Sequence, residues 1–193
     1  MKIIIILLLL ILPHISFEDS REFNHGACIV KYLDNNNNNK YYLTWSSSYM
    51  DGWKHDIYKS KIYFENNGNL VTETPDQVFI NTNEAQEPVN SIINSNNNYM
   101  LTVWEDGSDA DAPNVRGQIN LLNTIIRKNW IIAGGNASQH SVYVSHLSDK
   151  FLIFYVDEAL PATGGAVVKA KVIDDTTGNE LQTINLTHNN EDN

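Results

Sequence analysis

Three times along the chain an apolar run closes on an aromatic residue: Tyr41-Tyr42-Leu43-Thr44-Trp45, Met100-Leu101-Thr102-Val103-Trp104 and Phe151-Leu152-Ile153-Phe154-Tyr155. The closing aromatics are 59 positions apart (45 to 104) and then 51 (104 to 155), a spacing that predicts an internal repeat. A shorter apolar stretch precedes each run: Cys28-Ile29-Val30, Val89 to Ile93, and Val142-Tyr143-Val144. A polar loop follows each run, and then a strand of strict alternation. Tyr58, Ser60, Ile62 and Phe64 share one face in the first copy; Val115, Gly117, Ile119 and Leu121 in the second; Val168, Ala170 and Val172 in the third. Period-two alternation sends these side chains one way and the intervening ones the other, toward solvent or a neighbouring sheet.

The alternating strands align on a small residue, Ser60, Gly117 or Ala170, each preceded by a basic one, Lys59, Arg116 or Lys169. Gln86 and Gln139 stand three positions before Val89 and Val142, and His25 three before Cys28. Asn67-Gly68-Asn69 and Thr177-Gly178-Asn179 read as hairpin turns, since Gly and Asn accept positive φ. The second copy lacks that Gly and has Asn123-Thr124 instead, and each copy closes with a last strand, ending near Ile80, Ile132 and Ile184. No apolar spacing of three and four with caps marks a helix. The expectation is an all-β chain of three four-stranded antiparallel repeats, about residues 24–83, 84–136 and 137–188. The asparagine run Asn35 to Asn39 falls in the first loop of the first copy, where no backbone needs a core.

The second copy carries a recognisable pattern: Gln86-Glu87-Pro88-Val89, then Tyr99 to Trp104 with Glu105-Asp106, then Val115-Arg116-Gly117-Gln118-Ile119. It resembles the blades of extracellular β-propeller-like repeat proteins of microbes and protists. The resemblance implies a propeller-like stack of four-stranded blades and an extracellular recognition or surface role, with no single activity. The first copy lacks the Gln and Pro; the third keeps Gln139 but has Tyr155 for Trp. Closed propellers typically hold four to eight blades. Three copies therefore leave these alternatives: a homo-oligomer that closes a ring, most simply two chains; a β-trefoil, which also has three four-stranded repeats; or a truncated relative of a longer propeller.

Met1-Lys2 followed by the unbroken apolar run Ile3 to Leu12 is too short to span a bilayer and reads as a signal peptide, residues 1–16, ahead of a single domain, residues 17–193. With no second apolar run, no membrane span is expected. Asn136-Ala137-Ser138 and Asn185-Leu186-Thr187 are glycosylation acceptors, in keeping with a secreted, extracellular glycoprotein. Cys28 is the only cysteine, so the fold depends on its core rather than on an internal disulfide. The net charge of −10 disfavours nucleic acid and anionic membrane surfaces as partners.

Candidate chemistry is sparse. Asp106, Asp109 and Asp111, beside Glu105, offer hard oxygen ligands for Ca²⁺, against the plainer reading of a solvated acidic turn. Tyr49 and Trp53 lie in the polar loop Ser46 to His55 and are candidate binding residues. Trp45, Trp104 and Tyr155 suit packing between blades better than stacking on sugars. The histidines lack metal-protease spacing, and neither a Gly-x-Ser-x-Gly nucleophile nor a phosphate loop is present. No catalytic residue and no resident cofactor is assigned. The expected function is a secreted, non-catalytic binding or structural module that recognises glycans or surface proteins through its blade loops. The alternative is a glycoside-acting hydrolase with a carboxylate pair.

Overall fold

The computed structural model describes residues 23–48, 55–81, 86–96, 98–107, 113–122, 126–135, 137–158 and 166–186. They form twelve strands: β1 (Phe23–Leu33), β2 (Asn39–Ser48), β3 (His55–Phe64), β4 (Leu70–Ile80), β5 (Gln86–Ile93), β6 (Tyr99–Asp106), β7 (Asn114–Leu121), β8 (Ile126–Ala133), β9 (Gln139–Leu147), β10 (Lys150–Asp157), β11 (Val167–Asp174) and β12 (Glu180–Asn185). Each consecutive four pair antiparallel into one sheet, in the orders β1-β2-β3-β4, β5-β6-β7-β8 and β9-β10-β11-β12. The chain is thus all-β and repetitive, as the sequence pattern predicts. Among the described residues no helix is long and apolar enough to cross a membrane.

The turns follow from local chemistry. At the β1–β2 turn the Asp34 carboxylate accepts the backbone N–H groups of Asn36 and Asn38, each at 2.8 Å, and Asn37 takes the left-handed conformation at φ 62°. Asn is among the few residues that enter this region at small cost. The other two predicted turns carry Gly68 at φ 85° and Gly178 at φ 71°, positions where a Cβ is disfavoured. Asp174 caps the latter turn by accepting the N–H groups of Thr176 and Thr177 at 3.1 and 2.7 Å.

The three sheets stack face to face. The first strand of the second sheet, β5, lies against β1, β2 and β3; the first strand of the third, β9, lies against β5, β6 and β7. The middle sheet is therefore covered on both faces. Toward the third sheet it presents Leu101, Val103, Val115 and Ile119, which pack with Val142, Val144, Phe151, Ile153, Tyr155 and Ile173 in the largest apolar cluster. Toward the first sheet it presents Trp104 and Val89, packed on Ile57 and Ile80, and Met100 and Ile93, packed on Val30, Tyr32 and Tyr42.

The strand register bears out one alignment and corrects another. Trp45 pairs with Tyr58, Trp104 with Arg116, and Tyr155 with Lys169. The three aromatics are equivalent, as expected. The small residue of the third strand is not: Gly117 pairs with Val103 and Ala170 with Phe154, but their counterpart opposite Thr44 is Lys59, not Ser60. A slip of one residue sends every side chain to the opposite face. Ser60 and Ile62 consequently lie on the face turned away from the second sheet, and Lys59 occupies the place that Gly117 and Ala170 hold in their sheets.

The polar set of β7 does not face water. Gln118 and Asn120 are buried, and the Gln118 amide donates to Asn120 at 2.9 Å while accepting from Asn129 at 3.0 Å. A buried amide needs such partners, because leaving it unpaired costs about 1–3 kcal/mol.

Candidate functional site

The topology puts one set of chain segments at a common end. The β2–β3, β6–β7 and β10–β11 connections leave the sheets there, as do the links from β4 to β5 and from β8 to β9. At this end the second and third sheets repeat a polar arrangement. Gln139 on β9 pairs in register with Asp157 on β10, and the Gln139 amide donates to Asp157 Oδ1 at 3.1 Å. Lys169 on β11 donates to Asp157 Oδ2 at 2.6 Å. In the second sheet Gln86 pairs in register with Asp106, and Asp106 is salt-bridged to Arg116. Both Asp106 and Asp157 are buried, where a carboxylate depends on a cation and N–H donors to offset lost hydration. In the first sheet Asn24 pairs with Ser47, and Tyr58 stands at the Arg116 and Lys169 position, so the charged set is confined to the second and third sheets.

Between these two sheets, at the same end, lies a cleft of about 570 Å³. Asp157, Lys169, Lys171 and Tyr155 line it from the third sheet, and Asn114 and Ile131 from the second. Gly134 allows the wall to close tightly, because a Cβ there would strike Asn114 and come within 3.0 Å of Ile131 Cγ2. Lys171 is anchored at its outer side by Glu180 at 2.7 Å. Burial, with the charges of Asp157 and Glu180, pushes the Tyr155 phenol up to about 12, so it stays protonated near neutrality. The informative group is Gln139. Its side chain is 3% exposed, its N–H₂ is committed to Asp157, and its Oε1 is buried with no hydrogen-bond partner. A larger hollow of about 720 Å³ lies at the far end of the first sheet, between the tips of two asparagine-rich hairpins. It holds no comparable group.

A second polar node sits at the opposite end. His146 Nε2 lies 2.9 Å from Asp175 Oδ2, which also accepts from the Asn94 amide at 3.1 Å, and the His146 ring meets Phe151 edge-on. Asn94 belongs to the turn after β5 and Asp175 to the turn after β11, so this node fastens the second sheet to the third. At the cleft end Glu105 does the same by accepting the backbone N–H of Ser141 at 2.6 Å, where Ser141 is held at φ 56°.

Of the residues singled out from sequence, Asp106 lies at the end of β6, engaged by Arg116 rather than open to a cation. Asp109, Asp111, Tyr49, Trp53 and the acceptor Asn136 lie outside the described residues, as does the segment 1–16. Among the described residues no group of three His, Cys, Asp or Glu is placed to hold a metal. Asn185 is exposed at the end of the outermost strand of the third sheet. Trp104 and Tyr155 are packed between sheets, as predicted. Cys28 is half-buried, its thiol donating to the Ser91 carbonyl at 3.3 Å and raised by burial above the ordinary thiol range. Sequence reading missed the Gln–Asp–cation set, although its pieces were visible separately: Gln86 and Gln139 in phase, an acid two positions after Trp104 and Tyr155, and a basic residue on the third strand. No protein-family model and no curated protein sequence matches the chain.

Proposed function

We propose that the chain is an exported, non-catalytic binding module whose sheets stack in the manner of propeller blades, and that it recognises a glycan in the cleft between the second and third sheets. The observation that carries this reading is Gln139 Oε1, a buried acceptor without a donor, set at a cleft that also offers ammonium, amide and phenol groups. A polyhydroxylated ligand supplies donors and acceptors together, which is what this mixture needs. Asp157 is the one carboxylate among the described residues that line the cleft, and it is committed to Gln139 and Lys169. That arrangement suits holding a ligand better than acid–base work with two carboxyl groups.

The propeller-like arrangement is supported over a trefoil by the pairing pattern. Each repeat forms its own four-stranded sheet, and the first strands β1, β5 and β9 lie side by side. Strands hydrogen-bonded across repeats, which a shared barrel requires, are absent among the described residues. Export is supported by the apolar run Ile3 to Leu12 and by the two acceptor tripeptides.

The test is titration calorimetry of the purified chain against a panel of neutral and acidic oligosaccharides. At least one is expected to bind, and Gln139→Ala is expected to weaken it about tenfold, roughly 1.4 kcal/mol. Absence of binding across the panel, or an unchanged affinity in a folded Gln139→Ala variant, overturns the reading.

A further inference from the structure

The stack has two ends, and both are apolar. On the first sheet, the face turned from the second carries Leu43, Trp45 and Ile62 at its centre, with Tyr41, Tyr58 and Leu70 packed around them. This cluster draws only on its own sheet. Ile29, Leu33, Phe64 and Val78 surround it and are exposed. On the third sheet, the face turned from the second carries Leu152, Phe154, Val156, Val168 and Val172, all partly open, together with exposed Tyr143 and Leu147. Among the described residues ten large apolar side chains are exposed, and six of them belong to these two faces. The open apolar surface is therefore gathered where the stack stops rather than scattered, and contiguous patches of that kind mark contact sites.

These two faces are the complementary halves of a contact the chain already makes twice. Trp104 on the second sheet packs on Ile57 and Ile80 of the first, and Tyr155 on the third packs in the cluster with Leu101 and Val103 of the second. Trp45 is their equivalent by register and has no preceding sheet within the described chain. Conversely Val103 and Gly117 face the third sheet, and their equivalents Phe154 and Ala170 face away from the stack.

We propose that a second copy of this chain is the missing neighbour: the outer face of the third sheet in one copy docks on the outer face of the first sheet in the next, continuing the internal stacking. The contact is heterologous. It closes when two or more copies complete a ring, and otherwise extends as a fibre. It depends on the stacking alone and not on the ligand assigned to the cleft.

Light scattering on the purified chain at micromolar concentration is expected to give a mass of two or more chains. Val78→Glu on the first face and Tyr143→Glu on the third change side chains that are 51% and 60% exposed, so the fold itself is not at stake. Each variant alone is expected to weaken association at least tenfold. Mixed together they are expected to re-form a pair, because one of the two possible contacts then joins two unaltered faces. A wild-type chain that stays monomeric overturns the proposal. So does association that survives both single variants, or a mixture that fails to pair.

Discussion

The two contacts between sheets use the same strand positions and fill them with different chemistry. Between the second and third sheets the positions opposite one another carry Leu101, Val103, Ile119, Phe151 and Ile153, all fully buried in one continuous cluster. Between the first and second, the corresponding positions carry hydroxyls and a cation. Thr44 Oγ1 lies 3.0 Å from Ser91 Oγ, which lies 3.0 Å from Thr102 Oγ1, and all three residues are buried. The apolar side chains there are divided into two smaller groups by this hydroxyl chain. Lys59 is buried where Gly117 and Ala170 stand elsewhere, with its ammonium 4.1 Å from the Phe79 ring centre. Continuous apolar burial dominates one contact, with polar nodes at its two ends, and the other joins smaller apolar groups with a hydroxyl chain between them. Apolar burial adds stability with every methylene, about 0.8 kcal/mol each. The hydroxyl chain fixes register but returns only about 0.5–1.5 kcal/mol per bond. The first sheet is accordingly the less firmly attached of the three, and its opening is expected to precede global unfolding.

Phe151→Ala strikes the stronger contact. It is expected to cost about 3–5 kcal/mol in urea melts and to loosen the third sheet, because the vacated volume lies in a closed cluster. A loss below about 1 kcal/mol breaks the ranking of the two contacts. Lys59→Met tests the weaker contact from the opposite side. Burial, aided by the Lys61 charge, lowers the Lys59 ammonium to about 8 from an ordinary value of 10.5. The unfolded chain then binds more protons than the folded one between those values, so this group makes stability rise with pH across that window. Below about pH 8 the buried charge is a standing penalty. Lys59→Met is expected to stabilise the protein by about 1–2 kcal/mol at pH 7 and to remove the rise between pH 8 and 10. A destabilised variant, or a rise that persists, shows that Lys59 is held by partners that matter more than its desolvation. Thr44→Val is the smallest change, expected to cost about 1 kcal/mol because Ser91 retains Thr102 as a partner. Hydrogen exchange is expected to show faster opening of β1 and β2 in that variant, with β9 and β10 unaffected.

Much of this architecture was legible in the chain. The apolar runs closing on Trp45, Trp104 and Tyr155 locate the second strand of every sheet and their shared face, and the glycines at 68 and 178 locate two hairpins. The third strand of the first copy was misaligned because alternation gives a period, not a phase. Tyr58, Ser60, Ile62 and Phe64 form the more apolar set, so they read as inward; in the stack that set lies on the outer end face. Which set meets the neighbouring sheet is decided by the pairing register with β2 and the packing of the sheets, and no local pattern encodes it. The cleft was invisible for a similar reason. Gln139, Asp157 and Lys169 are ordinary residues 18 and 12 positions apart, and only strand pairing brings them together.

The turn between β1 and β2 has a consequence for chain length. Its tip is drawn from a tract of five identical residues, Asn35 to Asn39. The pairing of the two strands starts outside the tip, at Leu33 and Asn39, and the Asp34 carboxylate organises whichever asparagine amides come next. Each doubling of such a loop costs only about 0.6 kcal/mol. Added asparagines are therefore expected to lengthen the tip with the strand register intact.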